Sequence, residues 1–266
     1  MNNRIVEKMS ELRAHGGKSF SLVLMIGDPD TTTTDELVKL AVESNIDIVE
    51  LGIPYQNPSL DSQVMRESMQ RALAFSNDLS KYLDYLKHIR ALYPHTPFEV
   101  MIYHETVMEI GLKRFAECLK EAQMDAVLVA DYVLKSEEFL QELDLSLSDT
   151  GVIPIRFVPH PFNPDQVHDL KENGRGFIIS QTITDDTGER KGVLDKNKEK
   201  LDFIRNNGIK TPLVLAYGIK TPEDVRKCVD LGADGVLLGT VILDAAHNIP
   251  LDDLRKLFYS LRSAAL

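Results

Sequence analysis

The sequence predicts a (β/α)8 barrel, on three observations. Short apolar runs of strand type alternate with amphipathic helical patterns along the whole chain. Eight such pairs can be counted, which implies parallel pairing. The length of 266 residues suits eight pairs in one large domain. A doubly wound open sheet would usually need fewer strands. No linker or shift in composition interrupts the pattern, so residues 1–266 are expected to form a single barrel domain.

The elements follow in order. Residues 3–14 carry Ile5, Met9 and Leu12 at helical spacing, an extra N-terminal helix ended by Gly16-Gly17. Residues 20–26 are an apolar strand closed by the turn Gly27-Asp28-Pro29. One threonine of the run Thr31 to Thr34 is expected to cap a helix over 35–44. Strand two runs through Ile48, Val49 and Leu51, and a helix follows over 62–73. Helices are expected at 77–93, 112–122, 136–143, 164–172, 194–207, 221–231 and 251–262, and strands at 98–103, 125–130, 152–158, 176–180, 212–216 and 235–238. Thr221-Pro222-Glu223-Asp224 is a strong helix start. A long polar loop spans 181–192, and a short helical run follows Gly239-Thr240 at 241–246.

Composition narrows the function. A net charge of −11 argues against nucleic acid and against a membrane surface as partners. The two cysteines, Cys118 and Cys228, lie in helical patterns away from other ligand-type residues, so neither a disulfide scaffold nor a zinc site is expected. The seven histidines show no metal spacing. There is no secretory h-region and no apolar run of membrane-spanning length, and a cytoplasmic location is expected.

Two carboxylates mark the candidate chemistry. Glu50 sits inside the apolar strand Ile48–Leu51, where a carboxylate is costly unless paired or protonated. No basic residue is adjacent. Asp61 closes the loop that follows, and is either a helix cap or a substrate contact. Both belong to the face where barrels build active sites. On the same face, Ala216-Tyr217-Gly218-Ile219 and Gly239-Thr240, with the short helix after them, stand where barrels bind phosphate. The plain alternative is that Gly218 and Gly239 only make tight turns.

Glu50-Leu-Gly-Ile-Pro-Tyr-Gln-Asn-Pro-Ser-Leu-Asp61 resembles the signature of the tryptophan synthase alpha subunit family. The likeness extends over nearly the whole chain. It departs at Ser59, Leu60, Ser62 and Gln63, where small apolar residues and Gly-Pro are usual, and at Glu105, where Asn is usual. It departs also at Ile179, Ala216 and Thr184-Asp185-Asp186. The resemblance implies retro-aldol cleavage of indole-3-glycerol phosphate to indole and glyceraldehyde 3-phosphate. It makes Glu50 the acid/base and Asp61 the group facing the indole N–H. It also implies an active-site role for Tyr103, and phosphate contacts from Thr187, Gly188, Gly218, Gly239 and Thr240. No metal or organic cofactor is needed, and no lysine stands out at a strand end as a Schiff-base candidate. A tryptophan synthase beta subunit is the partner the resemblance implies. Two other readings stay open: a lyase or isomerase on a different phosphorylated substrate, and a non-catalytic subunit that activates a beta-type partner.

Overall fold

A computed structural model of the protein describes residues 3–58, 61–131, 137–185 and 192–266. Its sheet is built from β1 (Ser19–Met25), β2 (Ile48–Gly52), β3 (Phe98–Ile102), β4 (Ala126–Val129), β5 (Ile153–Pro154), β6 (Arg156–Val158), β7 (Ile178–Gln181), β10 (Leu213–Ala216) and β11 (Gly235–Leu238). The order is β5-β4-β3-β2-β1-β11-β10-β7-β6, and every pairing is parallel. The two ends of that order, β5 and β6, are one stretch of chain interrupted at Ile155. Pro154 has no N–H to donate, while the Ile155 N–H still reaches Val127 O at 2.8 Å. The fifth barrel strand thus hands over from β4 on one side to β7 on the other, and the ring closes as the expected (β/α)8 barrel.

The helices around the sheet are α2 (Thr31–Glu43), α3 (Gln63–Phe75), α4 (Leu79–Leu92), α6 (Leu112–Glu121), α7 (Glu137–Leu147), α8 (Gln166–Asn173), α9 (Lys196–Asn206), α10 (Pro222–Asp230) and α12 (Leu251–Ser263). Ahead of them α1 (Arg4–Ala14) lies across the amino ends of the strands. There Ile5 and Met9 are buried, and Asn3 donates to Asp125 O and Gly151 O at 2.7 and 3.0 Å.

Three expectations need correction. The threonine run is the first turn of α2, and its cap is Asp30, whose carboxylate accepts from Thr33 N at 2.7 Å. A shorter Thr side chain was the expected cap, but Asp is at least as good an acceptor there. A further helix, α5 (His104–Ile110), was not expected; it is short, and no side chain caps its start. The long loop after β7 also carries a small antiparallel hairpin, β8 (Thr184–Asp185) with β9 (Gly192–Val193), each too short to show an alternating pattern.

One device recurs at the amino ends of three strands. Asn45-Ile-Asp47, Gln123-Met-Asp125 and Gly232-Ala-Asp234 each begin on a left-handed residue, with φ of 54°, 51° and 101°. In each, the next N–H bonds five residues back, to Ala41, Leu119 and Cys228 carbonyls, which ends the preceding helix. The aspartate then accepts the N–H that opens the neighbouring strand, from Phe20, Phe98 and Leu213 at 2.9, 2.9 and 2.8 Å. An arginine completes each set: Arg262, Arg90 and Arg205. These brackets fix strand register at the closed end, which leaves the opposite mouth to carry chemistry.

Candidate active site

Strand alternation decides what faces the barrel axis. In β2 it sends Ile48, Glu50 and Gly52 to one side and Val49 and Leu51 to the other. Glu50 is 1% exposed and lines a cavity at the carboxyl ends of the strands. Met65, Met101, Leu128, Ile179 and Leu237 give this cavity an apolar wall suited to an aromatic ring. Burial, with the Asp61 charge nearby, pushes the Glu50 carboxyl up to about 8. Glu50 therefore holds a proton at neutral pH, which a group working as an acid requires.

Asp61 also lines the cavity and is 8% exposed. It is not the cap of α3; that is Ser62, whose Oγ accepts from Met65 N at 3.3 Å. The Asp61 carboxylate instead accepts from the Tyr103 hydroxyl at 2.5 Å. Tyr103 stacks on Tyr55 with ring centroids 4.6 Å apart, and Tyr55 donates to Glu105. Burial raises Asp61, while the Tyr103 hydroxyl and the Arg66 charge hold it back. Asp131 anchors the next turn by accepting from His104 N at 2.8 Å.

At the other side of the cavity β10 is followed by Tyr217 and Gly218, with φ of 75° and 69°. A bulky residue in that region is strained, and such strain concentrates where a backbone must take a required shape. A Cβ at Gly218 would come within 2.7 Å of the Thr184 methyl. Beside it α11 (Thr240–Asn248) follows Gly239, and no side chain caps its start, which leaves its first N–H groups to an anion or to solvent. The Thr240 hydroxyl lies 3.0 Å from Ser62 Oγ. Thr187 and Gly188 lie outside the described residues.

The fold brings Glu50, Asp61, Gly218, Gly239 and Thr240 to one cavity, with Tyr103 holding Asp61 from behind. Two residues were missed. Lys220 lines the same cavity next to Gly218, where its charge suits an anion; it follows a glycine turn and precedes a helix cap, positions usually read as connection only. Glu99 is wholly buried in β3, directly across from Glu50. Its signal, a carboxylate inside an apolar strand, is the one that drew attention to Glu50.

Gly218→Ala is expected to weaken inorganic phosphate binding about tenfold or more, from backbone strain and the methyl beside Thr184. Titration calorimetry would measure this, with thermal melting to show that the barrel still folds.

Fold and cavity together define a (β/α)8-barrel protein with a carboxyl in its wall and, at the same mouth, a glycine turn beside a helix start that no side chain caps. Comparison with known proteins agrees. The family model of the tryptophan synthase alpha chain matches residues 9–260. The tryptophan synthase alpha chain of Caldanaerobacter subterraneus subsp. tengcongensis is 31% identical, over 91% of this chain and 90% of its own. That of Geobacter sulfurreducens is 32% identical, over 91% and 89%. The crystal structure of the tryptophan synthase alpha chain from Legionella pneumophila superposes with a TM-score of 0.86 at 25% identity, covering 100% of this chain and 98% of that one. The chain belongs to the tryptophan synthase alpha chain family.

Proposed function

We propose that this chain cleaves indole-3-glycerol phosphate to indole and glyceraldehyde 3-phosphate, with Glu50 as acid/base and Asp61 facing the ring nitrogen. The observation that carries the reading is the meeting, in one cavity with an apolar wall, of a buried carboxyl raised by its burial, a glycine turn and a helix start that no side chain caps. The phosphate would sit against Gly218 and the start of α11, with Lys220 and Thr240 adding charge and a hydroxyl donor. The indole would then lie over Met101, Leu128 and Ile179, which puts its C3 toward Glu50.

The chemistry runs in two steps. The Glu50 O–H bond breaks and a C3–H bond forms, with the electron pair supplied by the ring nitrogen. Positive charge develops on that nitrogen, and Asp61, positioned by Tyr103, stabilises it. The Glu50 carboxylate then takes the proton of the side-chain hydroxyl. The carbonyl of the aldehyde forms, the carbon–carbon bond breaks, and its electron pair returns to the ring. Glu50 ends protonated again, so no net proton is consumed.

A tryptophan synthase beta subunit is the proposed partner, and residues 1–266 are proposed to work as one domain. The test is indole release from purified indole-3-glycerol phosphate, followed with and without a beta subunit. Release that rises when the beta subunit is added supports both parts. No release under either condition, with inorganic phosphate still bound, would move the activity to a different phosphorylated substrate.

A further inference from the structure

The barrel wall holds a second carboxyl that the steps above do not use. We propose that Glu99 stays protonated during turnover and donates a hydrogen bond to the Glu50 carboxylate that forms when Glu50 gives up its proton. It is a positioning residue, since it lies behind the cavity wall and acts on substrate only through Glu50.

The geometry carries this. Parallel register sets Glu50 and Glu99 directly opposite each other on adjacent strands. Such strands lie about 4.8 Å apart, and paired side chains point the same way. Glu99 is 0% exposed. Both of its carboxyl oxygens, and Oε2 of Glu50, have no hydrogen-bond partner outside the pair itself. One proton held between the two groups would satisfy atoms on both, which a buried polar pair requires.

Among the described residues no cation pairs with Glu50 or Glu99; Lys220, which lines the same cavity, stands beside Gly218 at its mouth. The buried cations Arg90, Arg156 and Lys200 are committed to Asp125, to Asp144 with Asp169, and to the Gln181 carbonyl. Across from Glu50 on β1 stands Val23, and across from Glu99 on β4 stands Ala126; neither titrates. The other titratable groups felt by Glu50 are Asp61 and Tyr217, neither of them cationic. Two ionised carboxylates side by side in this dry wall are therefore excluded near neutral pH. Glu99 is raised well above the usual carboxylate range by burial and then by Glu50, so Glu99 is the one that keeps its proton.

The inference rests on the proposed lyase reading for its catalytic consequence, and its test separates the two. The pH dependence of kcat is measured for wild type, Glu99→Leu and Glu99→Gln. Loss of the donor in Glu99→Leu should lower kcat about tenfold or more. It should also move the alkaline limb up by about one pH unit, because the Glu50 carboxylate is less stabilised. Glu99→Gln keeps an N–H donor and should stay with the wild type in both. An unmoved limb in Glu99→Leu, or a downward move in both variants, would overturn the proposal; the second outcome would mean that Glu99 is anionic. Carbon-13 NMR of labelled glutamate carboxyls, with inorganic phosphate present and no substrate, gives an independent reading. A Glu99 signal that stays protonated while Glu50 titrates supports the proposal even if indole is never released. An ionised Glu99 at pH 7 rejects it.

Discussion

Glu50→Gln is expected to slow indole release by about 10²- to 10⁴-fold, the range for loss of a positioned acid/base. The amide keeps the shape of the side chain and cannot deliver a proton. Affinity for inorganic phosphate should stay at the wild-type value, because Gly218, Gly239 and Thr240 line a different side of the cavity. Steady-state kinetics beside calorimetry would separate the two effects. Release at the wild-type rate in Glu50→Gln would remove Glu50 from the chemistry.

The second large effect is on stability. Asp125→Ala should lower it by about 3–5 kcal/mol, the scale for stranding one member of a buried ion pair. Asp125 is 2% exposed on its side chain and Arg90 6%, 2.8 Å apart. The same carboxylate accepts from Phe98 N at 2.9 Å and from Arg4 Nη1 at 3.0 Å. Its removal leaves the Arg90 charge without its counter-ion, although the guanidinium still donates to the Gln123, Tyr93 and Thr96 carbonyls, leaves the Phe98 N–H without an acceptor, and loosens α1 from the barrel floor. Asp125→Asn should cost less, since one oxygen still accepts the Phe98 N–H. Urea unfolding of both variants gives the comparison; equal midpoints for Asp125→Ala and the wild type would contradict it.

The parts of the fold legible in the sequence were those with long periodic patterns. The strands of the barrel and most of its helices follow from apolar spacing, and the start of α10 follows from Thr221-Pro222, realised as a full capping box. Short elements escaped. The seven residues of α5 and the two-residue strands β8 and β9 are fixed by their surroundings, not by a repeat of their own. The bracket triplets ending in Asp47, Asp125 and Asp234 are visible as a repeat, but only their contacts reveal that each joins a helix end to a neighbouring strand.

The site divides in the same way. Glu50 was legible because a charge inside an apolar strand is expensive. Asp61 was ambiguous until Ser62 proved to be the cap and Tyr103 the partner of Asp61. Glu99 carries the same signal as Glu50. What the sequence could not show was that parallel register sets the two side by side; that is a property of the sheet, not of either segment.

The contact between Ser62 and Thr240 links residues 178 positions apart. Ser62 directly follows Asp61, and Thr240 opens the helix proposed to face the phosphate. On that proposal the tail of a substrate and its reacting head would be gripped by two segments that touch. A molecule lacking the phosphate would lose turnover as well as affinity, because what secures the inert end also steadies the loop that meets the ring.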